Sequence, residues 1–124
     1  MAGYLHDRVF DNGLTVLDTE MDKLYICSAQ PTTYTEAITT YALGVKNTPT
    51  VSAPADRTGG GREVTVSAIT DGSVTASGTA THYAGVDSAN SRLLAANALS
   101  ASQAVTSGNT FTLTSFKIGI PDPA

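Results

Sequence analysis

The run RTGGGREVTV, Arg57 to Val66, sets three consecutive glycines beside a base and an acid, the residue types of a phosphate cradle. A P-loop needs Gly-x-x-x-x-Gly-Lys-Ser/Thr between a strand and a helix, so that backbone amides and the lysine wrap the phosphates. Here Gly61 is followed by Arg62-Glu63-Val64, with no lysine and a strand pattern where a helix would be required. A dinucleotide fingerprint fails on the same ground, because it also needs a helix amino terminus. Gly59, Gly60 and Gly61 therefore read as a permissive turn able to reach φ > 0.

The remaining reactive side chains are few. His6 and His82 are the only histidines and Cys27 the only cysteine. His6 adjoins Asp7, but a catalytic triad is a relation in space and adjacency does not make one. No Gly-x-Ser-x-Gly elbow occurs. His82 falls in an alternating strand pattern and reads as structural or interfacial. Cys27, within LYICSA, reads as a buried small hydrophobe. Zinc needs several converging ligands, and neither His-x-x-x-His nor Cys-x-x-Cys spacing is present. Asp18, Glu20 and Asp22 alternate as a solvated acidic edge would. The expectation is no enzyme, no cofactor and no metal.

Bulk properties narrow the class. A length of 124 residues fits one domain, and 41% hydrophobic residues suffice for a core. Charged residues are only 15%, against roughly 25% in an average soluble domain, and Thr, Ser, Ala and Gly fill the gap. The threonine bias favours strands. A net charge of −4 with scattered bases, and a pI of about 4.8, excludes the basic stripe of a nucleic-acid binder and disfavours an anionic membrane surface. The opening MAGYLHDRVF has neither the basic nor the apolar region of a secretory leader, and no apolar run approaches the roughly 20 residues that span a bilayer.

The elements that would position these residues follow from pattern. Residues 1–46 form an N-terminal segment, extended or partly helical. Its RVFDNGLTVLD run fits either a short helix or a hairpin turning at Asn12-Gly13. KLYICSA, Lys23 to Ala29, predicts a strand. Thr33 to Glu36 has capping-box spacing ahead of an extended run through Tyr41, Leu43 and Val45. Residues 47–61 read as a Pro/Gly loop, and residues 62–124 as the β core. In that core Val64, Val66 and Ala68 share one face. Asp71-Gly72 predicts a hairpin turn, and His82, Ala84 and Val86 oppose Tyr83 and Gly85. SRLLAANALS predicts a short strand that ends in a loop. Phe111 and Leu113 fall on odd positions, but Phe116, Ile118 and Ile120 fall on even ones, which predicts a bulge or bend near Thr114-Ser115. About seven or eight short strands imply a mainly β fold, an antiparallel sandwich or barrel.

The stretch from Thr81 to Ile120 resembles a group of small virion proteins of tailed bacteriophages. The matching residues are Thr81, His82 and Asp87, then Leu93, Leu94 and Leu99, then Val105, Gly108, Asn109, Thr110, Phe111 and Leu113. Upstream, TGGGREVTV and TDGSV fit the family's Gly-Gly step and small-residue turn. The resemblance covers about the last 65 residues, and no catalytic signature lies within it. It implies a virion structural protein. The first choice is a capsid decoration (cement) protein on the outer head surface, contacting the major capsid protein lattice as a homo-oligomer, a trimer favoured. The alternatives are a neck, collar or tail accessory protein and, outside virions, a carbohydrate-binding β-sandwich module. Partner contacts are expected at Tyr4, Leu5, Val9 and Phe10, with Arg57 and Arg62 flanking the glycines.

Overall fold

The computed structural model describes residues 4–5, 13–58 and 62–120. It is mainly β and antiparallel throughout its described strand pairs. The strands are β1 (Tyr4–Leu5), β2 (Lys23–Cys27), β3 (Ala42–Asn47), β4 (Ala55–Asp56), β5 (Arg62–Val66), β6 (Ile69–Val74), β7 (Gly78–Asp87), β8 (Arg92–Val105), β9 (Thr110–Leu113) and β10 (Phe116–Ile120). One sheet runs in the order β1-β8-β7-β2-β3-β6-β9 and curls into a half-barrel, and the other runs β10-β5-β4. Eight of the strands have four or more residues, as the turn spacing implied.

Both sheets close on one core. Leu24 and Ile26 of β2, Val64 and Val66 of β5, Leu94 of β8, Phe111 of β9 and Ile118 of β10 belong to it. Each such side chain contributes about 1.5–3 kcal/mol when fully buried. Of the RVFDNGLTVLD run, Arg8 to Asn12 lie outside the described residues; from Thr15 the chain is helical, α1 (Thr15–Glu20), and Leu14, Val16, Leu17 and Met21 enter the same core from this segment. The three-to-four spacing of Leu14, Leu17 and Met21 lets one helical stripe bury its apolar surface.

A second, smaller core lies on the outer face of the large sheet. There Cys27, Ala84, Val86, Leu93 and Ala96 are covered by Ala37, with Tyr25, Tyr34, Ile38 and Tyr41 packed around them. The covering segment is a single π-helical turn, Glu36–Thr40. Its start uses the expected capping residues: the Glu36 amide donates to Thr33 Oγ1 at 3.1 Å. The Glu36 carboxylate accepts from the Thr32 amide and hydroxyl at 2.8 and 2.9 Å, one residue earlier than a standard capping box. With both faces covered, β7 is buried almost continuously from His82 to Asp87.

The bend near Thr114-Ser115 is present. The chain leaves the large sheet after Leu113 and joins the small sheet at Phe116, so the change of phase is a change of sheet. Three expectations require correction. Asp71-Gly72 is no hairpin turn but lies inside β6, at an irregularity in its pairing with β9. A Cβ on Gly72 would collide with the Phe111 ring, so the glycine makes room for an aromatic of the next strand, and Asp71 is paired to Lys46 at 2.9 Å. Ala68 is exposed, since β5 stops at Val66. The supposed short strand at SRLLAANALS runs on to Val105, because β7 offers a partner along that whole length. Residues 23–47 form the middle of the large sheet, β2 pairing with β7 and β3 with β6.

Candidate binding cleft

β8 and β9 are joined by the short turn Thr106 to Asn109, yet they form no ladder with each other. The turn is held on β6: the Val74 amide donates to Asn109 O at 2.9 Å and the Gly108 amide to Val74 O at 3.0 Å. Gly108 has φ +90, which suits glycine. From the turn the two strands diverge. The Gln103 side-chain amide donates to Thr112 O at 2.8 Å and pins them once. Beyond it opens a cleft of about 490 Å³ between Asn97–Gln103 on one side and Thr112–Lys117 on the other.

The divergence has a local cause in β8. Ala80 pairs with Gln103 and His82 with Ala98, so Thr81 alone faces the four residues Leu99 to Ser102. Such a large bulge swings the strand away from β7 and leaves its backbone groups unpaired locally. The Ala98 amide is taken by the Asn97 side-chain oxygen at 2.8 Å. Thus on each wall a side-chain amide serves a backbone group.

Tyr83 and Phe116 line the cleft as a tilted ring pair, centroids 4.4 Å apart, with Leu99 and Leu113 beside them. Tyr83 is only 7% exposed, and burial pushes its phenol up to about 12, so it stays neutral at physiological pH. Lys117, the one charged lining residue, is paired with Glu63 at 2.9 Å. The cleft therefore presents apolar surface, hydroxyls and amides, without an unpaired charge.

The residues singled out by sequence are not gathered here. β1 pairs Tyr4 with Ala96 and Leu5 with Ala95, at the edge of β8 just before the cleft. His6, Val9, Phe10 and Gly59 to Gly61 lie outside the described residues. Arg62 binds Asp56 at 2.7 Å and Pro54 O at 3.2 Å within its own hairpin, and the Arg57 side chain lies across Gly119. Both arginines thus belong to the small sheet and its approach, whereas Tyr4 and Leu5 belong to the large one.

Among the described residues no three potential metal ligands converge. Asp22 accepts from the Ser88 amide at 2.9 Å and from the Ser88 hydroxyl. Burial tends to raise its pKa, but the Ser88 bonds and nearby Lys23 outweigh that and hold it low. Glu20 lies 3.5 Å from Arg92, and Asp18 is exposed. Cys27 is fully buried, its thiol pushed up to about 12 and directed at Ala37 O, 3.7 Å away, which makes it unreactive. His82 is 9% exposed, with Nδ1 2.8 Å from Thr81 Oγ1, and burial lowers its pKa.

The sequence did carry one signal for the cleft. Between Arg92 and Lys117 there is no charged residue, whereas exposed edge strands ordinarily carry charges that block pairing. No family model, curated protein or solved structure matches the chain.

Proposed function

We propose that the protein is a bacteriophage virion structural component, a capsid decoration protein that binds the head surface as a small symmetric oligomer, a trimer. The observation that carries this is where the residues of the resemblance fall. Thr81, His82 and Asp87 lie on β7, Leu93, Leu94, Leu99 and Val105 on β8, and Gly108 to Leu113 on the turn and β9. Their work there is architectural. Asp87 accepts from the Asn90 side chain at 2.8 Å and shapes the β7–β8 turn, Gly108 shapes the next turn, and Leu94 and Phe111 fill the core. A pattern made of frame residues suits a protein whose role is to present surface, and many weak copies on a lattice sum to firm attachment.

Quantifying the protein in purified particles tests this. Hundreds of copies per particle are expected for head decoration. A count matching a ring of roughly six to twelve subunits would favour the neck, collar or tail reading instead. Absence from particles would exclude both. Removing residues 1 to 10 tests attachment through Tyr4, Leu5, Val9 and Phe10, which is expected to abolish capsid binding without unfolding the β core.

A further inference from the structure

We infer that the cleft between β8 and β9 is a receptor for an extended, uncharged polypeptide segment of a partner protein, which inserts as an added strand and closes the curled sheet. Three observations converge. First, the two walls are sheet edges. Among the described residues, β8 is paired to β7 on one side, β9 to β6 on one side, and neither has a ladder partner toward the other. A strand laid on either edge would pair at about 4.8 Å and satisfy backbone groups there. Second, side-chain amides of Asn97 and Gln103 now serve backbone groups of those walls, and an incoming main chain can replace either. Third, β8 already accepts an extended segment on its side away from β7, because β1 pairs antiparallel at Ala95 and Ala96.

The chemistry of the occupant follows from the lining. Tyr83, Leu99, Leu113 and Phe116 favour apolar side chains at every second position, and the Ser and Thr residues of the rims favour small polar ones between them. Because Lys117 is neutralised by Glu63, no unpaired charge in the cleft compensates a buried charge on the ligand. The chain leaves this edge without the charged residues that usually prevent pairing. The inference stands apart from the virion reading, since it fixes the form of the ligand and not its source.

The test is an amide NMR titration of the whole protein with the capped peptide Thr-Val-Thr-Val-Thr-Val, and with Thr-Glu-Thr-Glu-Thr-Glu as control. The first peptide is expected to bind saturably, shifting amides of residues 97–103 and 110–117 and slowing hydrogen exchange on both walls. The control is expected to leave them unmoved. Ala101→Pro, which removes a backbone N–H from the bulged β8 wall, and Leu99→Asp, which charges the cleft, are each expected to weaken binding tenfold or more. Two variants are used so that misfolding of one, visible as shifts throughout the spectrum, leaves the other decisive. No saturable binding, equal binding of both peptides, shifts centred elsewhere, or unchanged affinity in a folded variant overturns the inference. So does concentration-dependent self-association through the same residues without peptide, which would make a second copy of the chain the occupant.

Discussion

The two halves of β8 past Arg92 are both uncharged and have opposite environments. In Leu93–Ala96 every side chain is buried, one set in the main core and the other under the π-helical turn. From Ala98 to Ala104 most side chains are exposed, the pairing with β7 breaks into a bulge, and among the described residues no strand pairs the outer edge past β1. Ala95 and Ala96 are buried whereas Ala98, Ala101 and Ala104 are exposed, so the burial of alanine along this strand is set by what covers it. His82, paired with Ala98, marks the junction.

The largest expected effect lies in the covered half. Leu94→Ala removes a fully buried side chain and is expected to cost about 2–5 kcal/mol of unfolding free energy, measured by urea denaturation. A cost below 1 kcal/mol would erase the contrast between the halves. Next comes β6, the strand paired with β9. Gly72→Ala forces a methyl against the Phe111 ring and is expected to cost about 1–3 kcal/mol, with most of the loss recovered when Phe111→Leu is added.

Gln103→Ala removes the one bond that pins the cleft and leaves a solvent-reachable carbonyl. About 0.5–1.5 kcal/mol is expected, together with faster amide exchange in the Thr106 to Asn109 turn. At the junction, burial holds the His82 pKa below its ordinary 6.5. The folded state therefore binds this proton less readily than the unfolded state. Stability from this group is full above about pH 6.5 and falls as pH drops toward the lowered folded value. His82→Gln should flatten that part of the stability–pH curve, and an imidazole titrating at or above 6.5 would contradict it. The smallest effect belongs to the open half, where Ala101→Lys should change stability by no more than about 0.5 kcal/mol.

How far these features were legible varies with their physical origin. The sheet change at Thr114-Ser115 could be read because Phe111, Leu113, Phe116, Ile118 and Ile120 bury alternate positions in two phases, a local pattern with a single geometric meaning. The β2 strand, the capping residues Thr33 and Glu36, and the inert Cys27 were visible for similar local reasons. Asp71-Gly72 misled because the dipeptide fits a hairpin turn and an irregular strand equally well, and only the Phe111 ring, some forty residues away, selects the second. The cleft was not read at all. Its walls are rich in alanine, serine and threonine, which carry little periodic signal, and its existence depends on two strand edges failing to meet.

By itself the sequence determined the β class, the antiparallel alternation, the sheet-changing bend and the scarcity of reactive groups, because each follows from side-chain chemistry within a few residues. The tertiary structure alone decided that residues 23–47 sit at the centre of the large sheet, that β7 is covered on both faces, and that β8 and β9 part to leave an open cleft. The reason is that strand pairing is made between segments distant in the chain. A strand's own residues state which face prefers burial, but its neighbours, its covering layer and its free edge are fixed only when the whole sheet has assembled.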